Sequence, residues 1–128
     1  MPSSTVENVE GVVTKRSPRS VPDTLTRLTR LMDEKGLTLF AVIDHSGEAT
    51  NAGLTMPDTK LVIFGSPAAG TPIMVDSPLA AIDLPLKLLI WADREGKVFV
   101  SYNTPAYLAA RHHLGDDGCA EHLDCIEP

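Results

Sequence analysis

Three groups of residues in this 128-residue chain have types and spacings that chemistry can use. In the first, Phe64-Gly65-Ser66-Pro67-Ala68-Ala69-Gly70-Thr71-Pro72 follows an apolar run. Its glycines and a helix start could present backbone amides to an anion, as glycine-rich phosphate loops do. The segment has neither the lysine of a P-loop nor the three glycines of a dinucleotide fingerprint, and the competing reading is a structural turn. In the second group, Asp44-His45 ends another apolar run. An imidazole titrates near neutral pH, and a carboxylate beside it can orient it for acid–base work. Without a nucleophile signature, a surface or capping histidine is the alternative. The third group, Cys119-x-x-His122-x-x-Cys125, offers soft and borderline ligands. On a helix, three-residue spacing keeps them within about a third of the circumference, so zinc, copper or haem is conceivable. The spacing fits no standard zinc module, and a solvated tail with incidental cysteines competes with it. A Cys119–Cys125 disulfide is a third option, disfavoured in a reducing cytoplasm.

Composition limits the setting in which such groups act. A length of 128 residues fits one domain that buries about two thirds of its unfolded surface. The core is expected over about residues 6–114, with 115–128 as a tail. A formal charge of −6, from 17 acidic and 11 basic residues, sets an unfavourable overall field against nucleic acid and anionic lipid. The N-terminus lacks a basic start and a continuous apolar stretch, and no later apolar run approaches the roughly 18 residues of a membrane span. A soluble, cytoplasmic protein is the expectation. Both cysteines fall in the last ten residues, so they cannot frame a secreted disulfide scaffold. No cofactor signature, internal repeat or heptad register is present.

The elements that must position these groups can be read from periodicity and caps. Val6 to Lys15 reads as a first strand. Ser20-Val21-Pro22-Asp23 matches a capping box with Asp in the acidic place, and Val21, Leu25, Leu28 and Met32 form one stripe of the helix it opens, which Gly36 stops. Leu37 to Ile43 is an almost wholly apolar run, predicted to be a strand buried on both faces, followed by a polar loop through Asn51 to Pro57. Lys60 to Phe64 is the next strand. Ser66-Pro67, Thr71-Pro72 and Ser77-Pro78 each pair a cap with a first helical residue, which predicts short helical turns rather than one long helix. Leu86 to Ala92 and Lys97 to Tyr102 form a hairpin around Asp93-Arg94-Glu95-Gly96. Thr104-Pro105 caps a last helix, Ala106 to His113, with Gly115 as its stop. His112 and His113 complement the negative end of that helix.

Asp44-His45 after an apolar strand, Gly65-Ser66-Pro67 with Gly70-Thr71-Pro72, Leu84-Pro85 and Val100-Ser101-Tyr102 occur in an order and spacing that resemble the bacterial and archaeal family known as domain of unknown function 302. The resemblance runs from about Val6 to Leu114 and departs at Ser66, where the family usually has asparagine. It implies an α+β fold of order β-α-β-β-β-β-α, similar to the TATA-binding-protein-like arrangement, and a tendency to dimerise. The antiparallel sheet would carry its helices on one face, with a short helical insertion between strands three and four. Fold kinship with a DNA-binding protein carries no functional weight in an acidic chain.

The reading that follows is a homodimeric small-molecule or anion-binding accessory domain rather than a stand-alone enzyme, with His45, Ser66, Gly70, Thr71 and Tyr102 converging on one pocket. Strand Leu86 to Trp91 carries apolar residues on both alternating faces, so Leu89 and Trp91 need cover that a second copy would supply. An enzyme using His45 as acid–base, and metal or haem handling through Cys119, His122 and Cys125, are the alternatives.

Overall fold

The computed structural model describes residues 9–114. Along the chain run β1 (Val12–Ser17), α1 (Val21–Glu34), β2 (Thr38–Asp44), α2 (His45–Asn51), β3 (Thr59–Gly65), α3 (Pro67–Asp76), a 3-10 turn (Pro78–Ile82), β4 (Leu86–Ala92), β5 (Val98–Asn103) and α4 (Pro105–Arg111). This is the expected α+β order with α2 added. The five strands form one antiparallel sheet in the order β1-β5-β4-β3-β2.

Side-chain alternation assigns the two faces of the sheet. Val62 and Phe64 on β3, Leu88 and Ile90 on β4, and Val98 and Tyr102 on β5 share one face, where they pack with Val21 and Met32 of α1. Val62 and Ile90 are 0% exposed, so this face is the main core. Leu61, Ile63, Leu89 and Trp91 alternate onto the other face, are only half-buried and belong to neither core cluster. Of the helices, α1 packs on the main-core face.

Helix ends follow the predicted capping chemistry. Ser20 Oγ accepts from Asp23 N at 3.2 Å and Thr104 Oγ1 from Tyr107 N at 3.1 Å. Gly36 takes φ 74°, and Leu37 N donates to Met32 O at 2.8 Å, closing the left-handed stop of α1. At α4 the same device uses His113, at φ 54°, with Leu114 N donating to Ala109 O at 2.8 Å. The helix therefore stops ahead of Gly115, which lies outside the described residues.

Four expectations are corrected. β1 begins at Val12, not Val6, because Gly11 turns the chain at φ 81° and its carbonyl accepts from Thr104 N at 2.7 Å. β2 is not buried on both faces: it is a sheet edge, exposed along its length, with Phe40 48% and Leu39 44% exposed. The polar stretch after it begins with helix α2. Ser66 starts one ten-residue helix that runs through Pro72, so Thr71 is interior to it. Pro72 forfeits one backbone bond, while the bond from Gly70 N to Ser66 O at 2.8 Å closes the first turn and buried Ile73 anchors the second. Ser77 makes no side-chain cap bond to the 3-10 turn that follows.

Asp44 starts α2. Its carboxylate accepts from Gly47 N at 3.0 Å, from Ser46 Oγ at 2.8 Å and from Lys60 Nζ at 3.2 Å. Lys60 also reaches Asp58 at 2.9 Å, and Ser46 Oγ both donates to Asp58 at 3.0 Å and accepts from Thr59 N at 3.1 Å. The Gly47 amide, then Ser46 and Lys60, hold the Asp44 pKa down from 3.8 to about 2. The hydrogen bond to Asp58, with Asp44 added, raises that of Lys60 against the effect of burial. A depressed carboxylate pKa gives stability that is complete above the unfolded value and lost as pH falls through the folded one. Asp44→Asn keeps a cap acceptor and removes the charge. Melting temperatures of the native protein and this variant should differ by a constant amount above about pH 5 and converge between about pH 4 and pH 2. A gap that persists unchanged to pH 2 would contradict this account.

Candidate functional site

The Gly65–Thr71 segment and Leu84-Pro85 meet at one end of the sheet around a cavity of about 300 Å³. β3 ends at Gly65, opposite Thr38 of β2, and the chain turns there into α3. A methyl group at Gly65 would meet Phe40 Cε2 and Pro85 Cβ, each at 3.8 Å, so both rings stand close over this residue. Phe40 gets there through a register irregularity. Leu39 pairs with Phe64 and Ala41 with Ile63, which leaves Phe40 as an extra residue of β2 outside the alternation. Ala69, Gly70, Ile73 and Met74 supply the helical wall, and Leu84, the cis peptide-linked Pro85, and Leu86 the opposite one.

This lining is apolar, with Ser66 and Thr71 as its hydroxyl-bearing residues. Of the amides that a phosphate loop would offer, two are engaged and one position lacks an amide. Pro67 has none, Ala69 N donates to Ser66 Oγ at 3.2 Å, and Gly70 N donates to Ser66 O. What the arrangement can do is enclose a small hydrocarbon-rich group and hydrogen-bond one end of it.

Behind the pocket, Ile73, Ala80 and Leu108 form a second buried cluster, against which Leu84, Leu86, Tyr107 and Leu114 pack. Asp83 Oδ2 accepts from Arg111 Nη1 at 2.8 Å and contacts His112 Nε2 at 2.5 Å, so the residue before Leu84 is pinned to the end of α4. His112 thus acts through a side-chain contact and not only through the helix end.

Of the residues expected to converge, Ser66, Gly70 and Thr71 line the pocket. His45 and Tyr102 do not. His45 is the first residue of α2, at the end of β2 away from Thr38, exposed, and among the described residues its side chain makes no hydrogen bond or ion pair. Asp44, its expected orienting partner, is committed to Gly47, Ser46 and Lys60. Tyr102 is buried in the main core with the Lys15 ammonium 5.6 Å from its ring centroid. Cys119, His122 and Cys125 lie outside the described residues, among which no cluster of three or more His, Cys, Asp or Glu side chains could hold a metal ion. The lining residues that sequence reasoning missed are Phe40, Ile73, Met74 and Leu86. For Phe40 no local signal exists, because the displaced register is set by pairing with β3.

The comparisons with known proteins agree with this fold. A crystal structure of an uncharacterized conserved protein DUF302 from Bacillus stearothermophilus superposes with a TM-score of 0.78 at 17% identity, covering 93% of this chain and 91% of that one. Proteins named fluoride-specific ion channel FluC 1, from Brucella suis biovar 1 and Brucella abortus biovar 1, are 43% identical over 105 residues. That match covers 82% of this chain but 41% and 39% of theirs, so the chain spans about two fifths of these relatives. Among the described residues no helix is long and apolar enough to cross a membrane. The family described as "Domain of unknown function DUF302" matches residues 13–126, beyond the Leu114 limit of the motifs and through Cys119, His122 and Cys125. The chain belongs to the DUF302 family.

Proposed function

We propose that this domain is a homodimeric accessory module that binds a small, largely apolar molecule. The observation that carries the reading is the cavity lined by Phe40, the Gly65–Thr71 segment and Leu84-Pro85, where the sequence motifs come together around apolar walls. Its apolar lining favours a hydrocarbon-rich ligand over an anion at this loop. An accessory role is supported by the Brucella proteins, in which the matching segment is a minor part of a longer chain named for another activity. Ion conduction is not carried over from that name.

Gly70→Val tests the pocket. Nothing lies within 4 Å of a Cβ at Gly70, so the substitution is accommodated and projects its methyl groups into the lining. Titration of indole and cyclohexanol into the native protein should give saturable NMR shifts at residues 65–74 and 84–86. Gly70→Val should weaken them about tenfold while leaving the melting temperature within a few degrees. A variant with full ligand response would sink the proposal.

The dimer reading rests on the sheet face that the described residues leave uncovered. Leu61 lies opposite Leu89, and Leu89 opposite Ser101, while Trp91 stacks on Phe99 at 4.9 Å and donates from Nε1 to Ser101 Oγ at 2.9 Å. The result is a half-buried, largely apolar surface, flanked by Lys87 and Arg16 and with its one indole N–H already satisfied, which suits a second copy of the same face. Native mass spectrometry of the untagged protein should show a dimer, and Leu89→Lys should convert it to monomer without unfolding it. A native protein that is monomeric at micromolar concentration would refute this part.

A further inference from the structure

A second groove, of about 320 Å³, lies on the far side of the molecule's core from the apolar pocket, where β1 runs into α1. It is lined by Arg16, Ser17, Pro18, Arg19, Thr24, Arg27 and Leu28. In a chain of net charge −6, the Arg19 and Arg27 side chains at one groove are a local reversal of sign, while Arg16 sends its side chain to the Phe99 face of the sheet. Among the described residues none of the three forms an ion pair with a carboxylate. Arg16 instead lies with its guanidinium carbon 5.8 Å from the Phe99 ring centroid. Asp23, the acidic residue in the first turn of α1, is not part of the lining.

Ser17 and Thr24, also in the lining, are 8% and 5% exposed, and their hydroxyls share one hydrogen bond of 2.7 Å. Ser17 Oγ also accepts from Arg19 N at 3.2 Å. Two hydroxyls carry two protons, and their mutual bond uses one. The other has no acceptor among the described residues. A buried donor without an acceptor is costly, and unpaired guanidiniums beside it are the donors that match an oxyanion in planar, bidentate fashion.

We infer that this groove binds the phosphate group of a small phosphate monoester, Arg19 and Arg27 donating to its oxygens and the Ser17–Thr24 pair supplying the remaining proton. A dianion uses more than one guanidinium, which distinguishes it from a simple carboxylate. The inference is independent of the apolar pocket. Phenyl phosphate, titrated into the isotope-labelled full chain at low ionic strength, should give saturable shifts at residues 16–19, 24 and 27–28, weakened by added salt. Arg19→Gln combined with Arg27→Gln, both at exposed positions, should weaken binding about tenfold or more, whereas Arg30→Gln, one turn further along α1, should change it less than about twofold. Gly70→Val should leave it intact. Absence of saturation up to about 20 mM, equal binding of benzoate, or equal loss in Arg30→Gln would each overturn the inference.

Discussion

Among the described residues, the molecule depends on covering one face of a five-stranded antiparallel sheet and leaving the other to half-buried side chains. The period of two along β3 and β4 sends Val62, Phe64, Leu88 and Ile90 beneath α1 and leaves Leu61, Ile63, Leu89 and Trp91 on the other side. A slip of one residue in either strand would exchange these sets, so burial of the first set fixes register across the sheet. Register in turn fixes where β3 stops. Gly65 faces Thr38 at the end of the ladder, and the chain must leave the sheet there as α3. The apolar pocket forms at this exit, where the main core gives out and the smaller cluster of Ile73, Ala80 and Leu108 begins.

Two kinds of surface are thereby kept apart. At the exit of β3 the walls are mostly hydrocarbon, and the Ala69 and Gly70 amides bond back to Ser66. At the junction of β1 and α1 the reverse holds, with hydroxyls on the floor and cations on the rim. Charge balance over the whole chain says nothing about either location. An acidic total excludes a broad attraction to polyanions, while local fields are set by a few side chains within a Debye length of about 10 Å.

Much of the fold was legible because its signals are local. Ser20 and Thr104 cap the helices they precede, Gly36 and Gly96 take the positive φ their positions require, and the 93–96 turn joins β4 to β5. Where position in the sheet decides, local pattern misleads. Leu37 to Ile43 reads as interior because nothing in its own residues tells an edge strand from a central one. The same gap hides Phe40, whose place in the pocket follows from its irregular pairing. His45 looked chemical because Asp44 precedes it, yet that carboxylate is the cap of α2, whose Gly47 amide lies three residues on. Pro72 suggested a break, but the helix absorbs one missing bond. The motif glycines and prolines did mark the pocket, since Gly65, Pro67, Gly70 and Pro85 all line it.

The strand order sets a timetable for synthesis. β2, β3, β4 and β5 pair in sequence as a meander, each strand meeting the one made just before it. Among the described residues β1, the first of the five strands made, pairs with β5 alone, and Val12 finds Asn103 after the other four strands exist. Closure of that long loop carries an entropy cost before any of its contacts form. A nascent chain therefore waits with β1 and Val13 idle, and the arginine groove, built across the junction of β1 and α1, takes its final shape only after the ribosome has delivered β5.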